Sequence, residues 1–578
     1  MCRVFSTALF LAAACEAMLS TSLALDGASL RVNLHNGWKA FEVISIGDNP
    51  ADDGSTWSMP GTFDGIGAWL PDSSTLRLLI NHETTDATIS EVNLHLPSFK
   101  TAIANVIASG TTGGGSFVTS ARQAYDRWSS DGGANWIATS DISNTTFYRF
   151  CSGQSYLPDT FGTGRGFADP IYVTGEEGST DRLIAIDLAN RDFYQLSGVA
   201  GSAAGGLGGM PFDNWENAAL LDTGETDHVI LLLSPDGGTQ NMQLYVGEKG
   251  KDASGNAANT FLARNGLAFG SYFFLNDSLP VSKGDTSIDG TFDTTSAGAL
   301  NSTKLEDVDT SPSDPTRAVL GDQDSGLFTF DFDFVFSGGS FNAAASGFSI
   351  TKVQNHVNDV DYSGSGAYAN AFGDADNVDW TAPTVINGST YAEGLIFVNE
   401  DSGTANGEIW MNAPDGSNLI LIGDTVGISG AAETSGILDI SQLVGYNPGS
   451  IVLTSNQGSN ASLSVLINPY AQRDNADFNG DNDVDGFDFL TWQRNLGSGT
   501  LPVQGDAQHD GDVDGPDFKV WEQQFGSPPP LFAAAAVPEP SAACLLSLAL
   551  YSFVGIARLP NEAARNSGTI IARQGLRK

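Results

Sequence analysis

The sequence predicts an all-β fold over residues 26–470, in the form of a six-bladed β-propeller. Short runs of apolar and β-branched residues alternate with Gly, Asn, Asp and Ser turns along this segment, for example at 76–81, 229–233 and 395–399. Many evenly spaced short strands with glycine-rich turns are typical of β-sandwiches, barrels and propellers. No long amphipathic helix is expected in this body.

A pattern that repeats along the strands favours the propeller. An acidic residue opens one strand, and a second strand ends at another acidic residue roughly twenty positions later, as in blades that carry insertions. The copies lie at residues 64–83, 151–177, 216–236, 306–324, 376–400 and 436–456. The second copy opens with a cysteine, and the last has lost its final acid.

The residues that open the copies predict a metal centre. In a propeller the first strand of every blade lines the central channel, so the opening side chains should meet on the axis. These are Asp64, Cys151, Glu216, Glu306 and Asp376. Carboxylates that close together repel one another, so they take up protons or share a multivalent cation. Oxygen ligands alone indicate calcium, whereas an added thiolate favours a transition metal. The alternative is that these acids are ordinary turn residues at strand starts.

The N-terminus predicts export. Residues 1–24 carry an early positive charge at Arg3, an apolar run at 8–14 and the small-x-small site Ser22-Leu23-Ala24, which together indicate a signal peptide. There is no twin-arginine pair, so the general export route is expected.

Cysteine counting leaves one thiol in the exported body. Cys2 and Cys15 lie in the signal peptide and Cys544 lies in a C-terminal apolar stretch, so Cys151 has no internal disulfide partner. A lone thiol in an exported protein indicates a metal or reactive role, and a buried cysteine acting as a small apolar residue is the alternative.

The C-terminus predicts sorting to the cell surface. Within the segment 537–558, Val537-Pro538-Glu539-Pro540 precedes an apolar stretch at 541–557 and then Arg558, and a basic tail follows at 559–578. The apolar stretch is at the short limit for a transmembrane helix. This order resembles the PEP-CTERM sorting signal of bacterial surface proteins, which implies processing by an exosortase-type enzyme. A plain membrane anchor is the alternative. Either places the body at the cell surface, in the periplasm or in the outer envelope.

Two twelve-residue acidic loops, 477–488 and 506–517, predict calcium binding. Oxygen-bearing side chains occupy positions 1, 3, 5, 9 and 12 of each loop, the spacing with which EF-hand loops surround a hard cation. The first loop supplies Asp477, Asn479, Asp481, Asp485 and Asp488, and the second supplies Asp506, Gln508, Asp510, Asp514 and Asp517.

Each loop is followed by one predicted helix. Apolar residues recur at helical spacing in both copies, and a glycine suited to a left-handed C-cap ends each helix. These residues are Phe489, Trp492, Leu496 and Gly497 in the first copy and Phe518, Trp521, Phe525 and Gly526 in the second. Residues 474–530 thereby resemble a dockerin-type module, which implies a protein partner. Gln508-His509 replaces the usual Asn-Gly of that family, so the second site is expected to be the weaker.

Composition excludes one class of partner. The formal net charge is −42, with 68 acidic residues against 26 basic ones. Such a chain repels polyanions, so nucleic-acid binding through the body is not expected.

Five short segments in the body carry a family resemblance. They are R-L-L-I-N-H-E at 77–83, F-C-S-G at 150–153, T-G-E-E at 174–177, L-E-D-V at 305–308 and D-N-V-D-W at 376–380. In this order they resemble motifs of the PhoX-type alkaline phosphatases, six-bladed propellers whose axial site contains iron and calcium.

The resemblance implies roles for individual residues. Cys151 would bridge the irons, with Glu216, Glu306 and Asp376 as further iron ligands. The calcium shell would comprise Glu83, Glu177 and Asp401. Lys304 stands where the family has an arginine, and a lysine attracts phosphate as a point charge without gripping it bidentately.

Two functions from different classes remain open. The first is a metal-dependent hydrolase of phosphate monoesters, with Glu216, Glu306 and Lys304 as its catalytic residues and calcium and iron as its cofactors. The second is a non-catalytic propeller that binds glycans, ions or proteins at the cell surface. Iron bound through Cys151 would distinguish the first from the second.

Overall fold

The computed structural model describes residues 31–52, 55–139, 147–178, 182–196, 214–236, 241–302, 304–356, 373–401, 407–481 and 483–526. The predicted signal peptide, the C-terminal apolar helix with its sorting motif, and the basic tail lie outside these residues. Within the described ranges, no helix combines the length and the apolar character that a bilayer crossing requires.

The first half of the chain forms seventeen of the described strands. In chain order they are β1 (Asn33–Leu34), β2 (Lys39–Ser45), β3 (Ala51–Asp52), β4 (Ser55–Thr56), β5 (Phe63–Asp72), β6 (Thr75–His82), β7 (Ile89–His95), β8 (Val118–Gln123), β9 (Arg127–Ser129), β10 (Ile137–Ala138), β11 (Phe150–Tyr156), β12 (Ile171–Glu176), β13 (Leu183–Asp187), β14 (Asp192–Gln195), β15 (Trp215–Leu221), β16 (His228–Pro235) and β17 (Gln243–Glu248).

The remaining described strands follow up to residue 467. They are β18 (Gly270–Asn276), β19 (Thr286–Asp293), β20 (Leu305–Thr310), β21 (Arg317–Asp322), β22 (Gly326–Asp333), β23 (Phe336–Ser337), β24 (Ser340–Phe341), β25 (Gly347–Asn355), β26 (Ala375–Trp380), β27 (Thr384–Ile386), β28 (Ser389–Tyr391), β29 (Ile396–Glu400), β30 (Glu408–Asn412), β31 (Ile420–Asp424), β32 (Thr434–Asp439), β33 (Ile451–Asn456) and β34 (Ser462–Ile467).

Six antiparallel blades surround one axis, which confirms the predicted all-β propeller. From the axis outward the blades are β5-β6-β7-β8, β11-β12-β13-β14, β15-β16-β17-β18, β20-β21-β22-β25, β26-β29-β30-β31 and β32-β33-β34-β2. Each innermost strand contacts the innermost strand of the next blade, and β32 returns to β5. Strand β2, near the N-terminal end of the body, pairs with β34, so segments from the two ends of the body close the ring within one blade.

The blades pack face to face, and this explains their sequence. Every residue of β16 and of β15 is buried, because neighbouring blades cover both faces of these strands. Such strands read as continuous apolar runs rather than alternating ones. Burying one leucine or valine side chain stabilises the fold by about 1.5–3 kcal/mol.

One helix in the body contradicts the expectation that none would be found. Helix α1 (Leu96–Ser109) follows β7, with a proline in its first turn, and ends at Gly110, whose φ is 76°. Its buried side chains include Leu96, Phe99, Ile103 and Val106, which share one helical face. This spacing was present in the sequence, but it covers only four turns within a β-rich body.

The two acidic loops each lead into a helix, as predicted. Besides the short helices α2 (Phe261–Arg264) and α3 (Ser441–Val444), the structure has α4 (Gly486–Asn495) and α5 (Gly515–Gln524) after the loops, with a 3₁₀ turn at Pro502–Gln504. Each helix begins with a capping box. Four aromatic rings pack between α4 and α5 with centroids 4.9–5.9 Å apart: Phe489, Trp492, Phe518 and Trp521.

The second acidic loop, 506–517, packs against the propeller. The Val385 amide in β27 donates to the His509 carbonyl over 2.9 Å. His509 is buried and adopts a φ of 60°, in the left-handed region that favours glycine. The Gln508-His509 departure from the dockerin pattern therefore lies at a contact with blade 5.

Candidate metal centre

A bulge at the start of each innermost strand builds the site. The pairing register shifts between Phe63 and Ile66, Phe150 and Gly153, Trp215 and Asn217, Leu305 and Val308, Ala375 and Val378, and Ser435 and Ile437. Five of these bulges contain the five opening residues named above, and the sixth contains Ser435 and Gly436. Bulges turn side chains out of the regular pleat, and they commonly adjoin active sites.

The opening residues divide into two groups, each of which could hold a metal ion. In the first group, ligand atoms of Asp64, Glu83 and Cys151 all lie within 4.8 Å of one another. In the second group, the same holds for Glu216, Glu306 and Asp376. Cys151 is only 6% exposed, and Asp64, Glu216 and Glu306 are 3–4% exposed. The structure thus brings together the five side chains expected on the axis and adds Glu83 to them.

The other two residues assigned to a calcium shell border these groups. Glu177 Oε2 lies 3.5 Å from the Cys151 Sγ. Asp401 accepts a hydrogen bond at Oδ2 from Gln323 over 3.0 Å, and its charge acts on Glu83 and Glu306. Neither belongs to the two compact groups.

Burial and mutual repulsion raise the pKa of every ligand in the two groups. Desolvation is the main cause, and the Glu306 charge adds to it for Glu216 and for Asp376. Burial likewise raises the pKa of the Cys151 thiol, followed by the charge of Glu216. The groups therefore bind protons more tightly than the same groups do in water, and cations would compete with those protons.

Neighbouring polar groups fix the orientation of the ligands. Ser152 donates to Glu216 Oε1 from its backbone amide over 2.9 Å and from its hydroxyl over 2.6 Å. Gln457 donates to Asp64 Oδ2 over 3.1 Å and to Glu83 Oε2 over 2.6 Å. Asn377 donates to the Ser152 hydroxyl over 2.6 Å, which links blade 5 to blade 2 across the channel. Such supporting hydrogen bonds orient metal ligands.

Lys304 lies beside the second group. Its Nζ is 3.0 Å from Glu306 Oε1 and 2.8 Å from Asp236 Oδ2, and its side chain is 33% exposed. The ammonium group therefore lies where solvent meets the buried carboxylates.

Three residues of the site were not assigned to it from the sequence: Arg149, Asp236 and Glu433. Asp236 was recognised only as a strand end, and burial raises its pKa to about 6. Glu433 directly precedes β32, and burial together with Asp401 raises its pKa to about 11. The sequence contains one indication of this role. Glu433 stands three positions before the sixth copy, and that copy begins at Gly436 instead of at an acidic residue.

The residues present fit hard cations together with one thiolate-preferring metal. Five carboxylates, three of them buried, and a buried thiol converge, and within the described residues the buried Asp236 Oδ1 has no hydrogen-bond partner. Carboxylate oxygens are the ligands of calcium, and a thiolate among them favours a first-row transition metal such as iron.

The two acidic loops differ in how closely their carboxylates lie to one another. Ligand atoms of Asp506, Asp510 and Asp517 lie within 4.8 Å of one another, as do those of Asp512, Asp514 and Asp517. Among the described residues of the first loop no such group forms. In both loops the last aspartate, Asp488 or Asp517, accepts three backbone hydrogen bonds from its own loop.

The remaining loop ligands take local hydrogen bonds. Asn479 donates to Asp481 over 3.0 Å, and Gln508 donates to Asp510 over 2.8 Å. Asp477 accepts the amides of Gly480 and Asp481. The N-caps of α4 and α5 are Asp485 and Asp514.

Solved structures provide three comparisons. PhoX of Pseudomonas fluorescens in complex with vanadate, a transition-state analogue, aligns over 76% of this chain and 96% of its own, with 12% identity and a TM-score of 0.48. Sqt1 of Chaetomium thermophilum, bound to the N-terminus of ribosomal protein L10, aligns over 70% and 96% with 12% identity and a TM-score of 0.32. A Trypanosoma rangeli sialidase complex aligns over 80% and 61% with 8% identity and a TM-score of 0.33.

Sequence comparisons give no match. No protein-family model matches the chain, and no curated protein matches it significantly.

Proposed function

We propose that this protein is an exported, metal-dependent hydrolase of phosphate monoesters whose reaction centre lies on the propeller axis. The observation that carries the proposal is the pair of adjoining buried ligand groups, one of which contains the lone thiol. Structural carboxylates seldom cluster in a buried channel without a cation, because their mutual repulsion is costly there.

The two groups would hold separate cations. Asp64, Glu83 and Cys151 form one set of ligands, and Glu216, Glu306 and Asp376 form the other, with Glu177 and Asp401 available to a calcium ion beside them. When bound, iron and calcium would supply positive charge that neutralises a phosphate and stabilises charge developing on its oxygens.

The chain's own side chains have distinct tasks. Lys304 attracts the phosphate dianion to the mouth of the site. Glu216 and Glu306 act through the positions they give the cations, and Ser152 and Gln457 keep the ligand oxygens oriented. The buried position of these groups excludes bulk water, which strengthens each electrostatic contact.

The flanking segments suggest where the enzyme works. We propose export through the signal peptide, processing of the C-terminus by an exosortase-type enzyme, and calcium binding at both acidic loops of a module that recruits a protein partner. The acidic loop ligands and the sequence motifs at both ends support this arrangement.

A non-catalytic surface propeller is the second candidate. The net charge of −42 and the lysine at position 304 favour it, because an acidic surface repels anionic substrates and a lysine binds phosphate less specifically than an arginine.

One experiment separates the two candidates. The exported full-length protein is purified and its metals are measured, and hydrolysis of p-nitrophenyl phosphate is followed with and without chelator. We expect iron and calcium, activity lost on chelation, and at least about a hundredfold lower activity in Cys151→Ala. Ser155→Ala, on the same strand, is the control. Calcium alone without hydrolysis would refute the enzyme and favour the binding protein.

A further inference from the structure

We propose that Arg149 grips the phosphoryl group at the axial site and selects phosphate monoesters over diesters. This inference rests on the proposed function, and it assigns a role to a residue outside the motifs of the family resemblance.

The position of Arg149 beside the first ligand group is the starting point. Its Nη1 lies 3.2 Å from Glu83 Oε1 and 3.3 Å from Glu177 Oε2. The same Glu177 oxygen is 3.5 Å from the Cys151 Sγ. The guanidinium therefore lies one side chain away from the thiol.

The backbone of Arg149 is held in a strained conformation. Its φ is 45°, in the left-handed region that non-glycine residues rarely adopt. Its amide donates to the Thr84 carbonyl over 2.9 Å, and its carbonyl accepts from the Glu177 amide over 3.0 Å. Blades 1 and 2 thus hold the residue from both sides, and strain of this kind is concentrated at functional sites.

The guanidinium is open on its outer side. The Arg149 side chain is 42% exposed, whereas those of Glu83 and Glu177 are 15% and 20% exposed. Both of its ion pairs use Nη1, so within the described part of the chain Nε and Nη2 donate no hydrogen bond. Two parallel donors of an arginine match two oxygens of a phosphate.

The Lys304 ammonium group lies on the same solvent-facing rim of the site as Arg149. The charge of Glu177 helps to raise the pKa of Asp236, so the two carboxyl groups are neighbours, and Asp236 in turn pairs with Lys304. The rim therefore runs from Arg149 through two carboxyl groups to Lys304, with a positive charge at each end. A monoester offers three terminal oxygens and two charges, enough for the arginine, the lysine and a cation below. A diester offers two terminal oxygens and one charge.

A purely structural ion pair predicts different behaviour. Half-exposed pairs contribute little to stability, and their loss changes the unfolding transition or the metal content rather than substrate preference. The inference is therefore tested by preference between substrates in a variant with unchanged metal content.

The test compares Arg149→Lys and Arg149→Gln with wild type in the full-length, metal-loaded protein. Arg264→Lys is the matched control, because Arg264 is similarly exposed and pairs with Asp169 away from the axis. Metal content, kcat and KM are measured for p-nitrophenyl phosphate and bis(p-nitrophenyl) phosphate, together with inhibition by vanadate.

We expect Arg149→Lys to keep its metals, to raise KM for the monoester and to lower its kcat/KM about thirtyfold, with vanadate inhibition about tenfold weaker. The diester should change less than about threefold, and Arg264→Lys should match wild type for both substrates. Equal losses on both substrates, loss of metal or no change would each overturn the inference while leaving the proposed function standing.

A failure of the proposed function is distinguishable from a failure of the inference. If metal-loaded wild type hydrolyses no monoester, the proposed function is refuted, and binding of inorganic phosphate by calorimetry then decides the role of Arg149. Binding that is at least about tenfold weaker in Arg149→Lys than in wild type supports an anion-gripping arginine. Equal binding, or none in wild type, refutes it.

Discussion

Single glycines decide how closely the innermost strands approach one another. A Cβ on Gly436 would lie 2.2 Å from the Asp64 carbonyl oxygen, and one on Gly65 would lie 2.4 Å from that of Cys151. On Gly175, in the second strand of blade 2, it would lie 1.7 Å from the carbonyl oxygen of Trp215 in the innermost strand of blade 3. At these distances backbone must move, so the ring of ligands depends on the absence of these side chains.

The substitution Gly436→Ala tests this dependence. We expect the free energy of unfolding to fall by about 3 kcal/mol, because the added methyl group overlaps the Asp64 backbone. Gly115→Ala is the control, since a Cβ there meets no atom within 4 Å, and it should change stability by less than about 0.5 kcal/mol. Denaturant unfolding of both variants measures the difference. Equal stabilities would show that the strands separate without cost.

At the scale of elements, the second acidic loop also contacts the propeller. The hairpin of β27 and β28 contacts this loop through the Val385 amide and the His509 carbonyl. A Cβ on Gly511 would lie 3.6 Å from the Thr390 side chain and 3.7 Å from that of Val385. The five carboxylates gathered in this loop repel one another without a cation. Loss of calcium should therefore loosen the contact with blade 5.

Hydrogen exchange at the Val385 amide measures this coupling. We expect chelation to speed its exchange about tenfold, because the acceptor loop loses its cation and opens locally. Asp517→Ala should reproduce the effect in calcium-containing buffer. Asp488→Ala removes the equivalent ligand from the first loop and should leave Val385 protected. Equal effects of the two variants would contradict a specific role for the second loop.

At the scale of the whole molecule, buried carboxylates make the metal-free protein sensitive to alkali. Burial raises the pKa of Asp322 from its ordinary value of 3.8 to about 6. Burial and repulsion likewise raise the pKa values of Asp506, Asp510 and Asp517 to about 7. The folded state therefore binds protons that the unfolded chain has released. Stability is then highest near pH 4 and falls as the pH rises through 6 to 7.

Thermal unfolding in chelator tests the sign of this dependence. We expect a higher midpoint at pH 5.5 than at pH 7.5, and a smaller difference in Asp322→Asn, which cannot titrate there. Asp289→Asn, at an exposed position, is the control and should behave like wild type. A midpoint that rises with pH in the absence of metal would contradict the expectation.

The sequence determined the elements whose signals are local. Strand runs between glycine-rich turns predicted the all-β propeller, and the fixed spacing of oxygen side chains predicted the acidic loops with their helices. The repeat also picked out the five side chains that converge on the axis, because each opens an equivalent strand. The apolar face of α1 was overlooked, since a short helical period is hard to separate from neighbouring strands.

Only the tertiary structure decided how these elements meet. Asp64 and Ser435, 371 positions apart, lie side by side because the last blade closes onto the first. The division into two ligand groups, the place of Glu433 and the contact of Arg149 with Glu83 all depend on bulges and on the distance between blades. The packing of the second acidic loop against β27 depends on contacts between distant segments in the same way. Local sequence sets the period of a strand, whereas the convergence of side chains on an axis is a property of all six blades packed together.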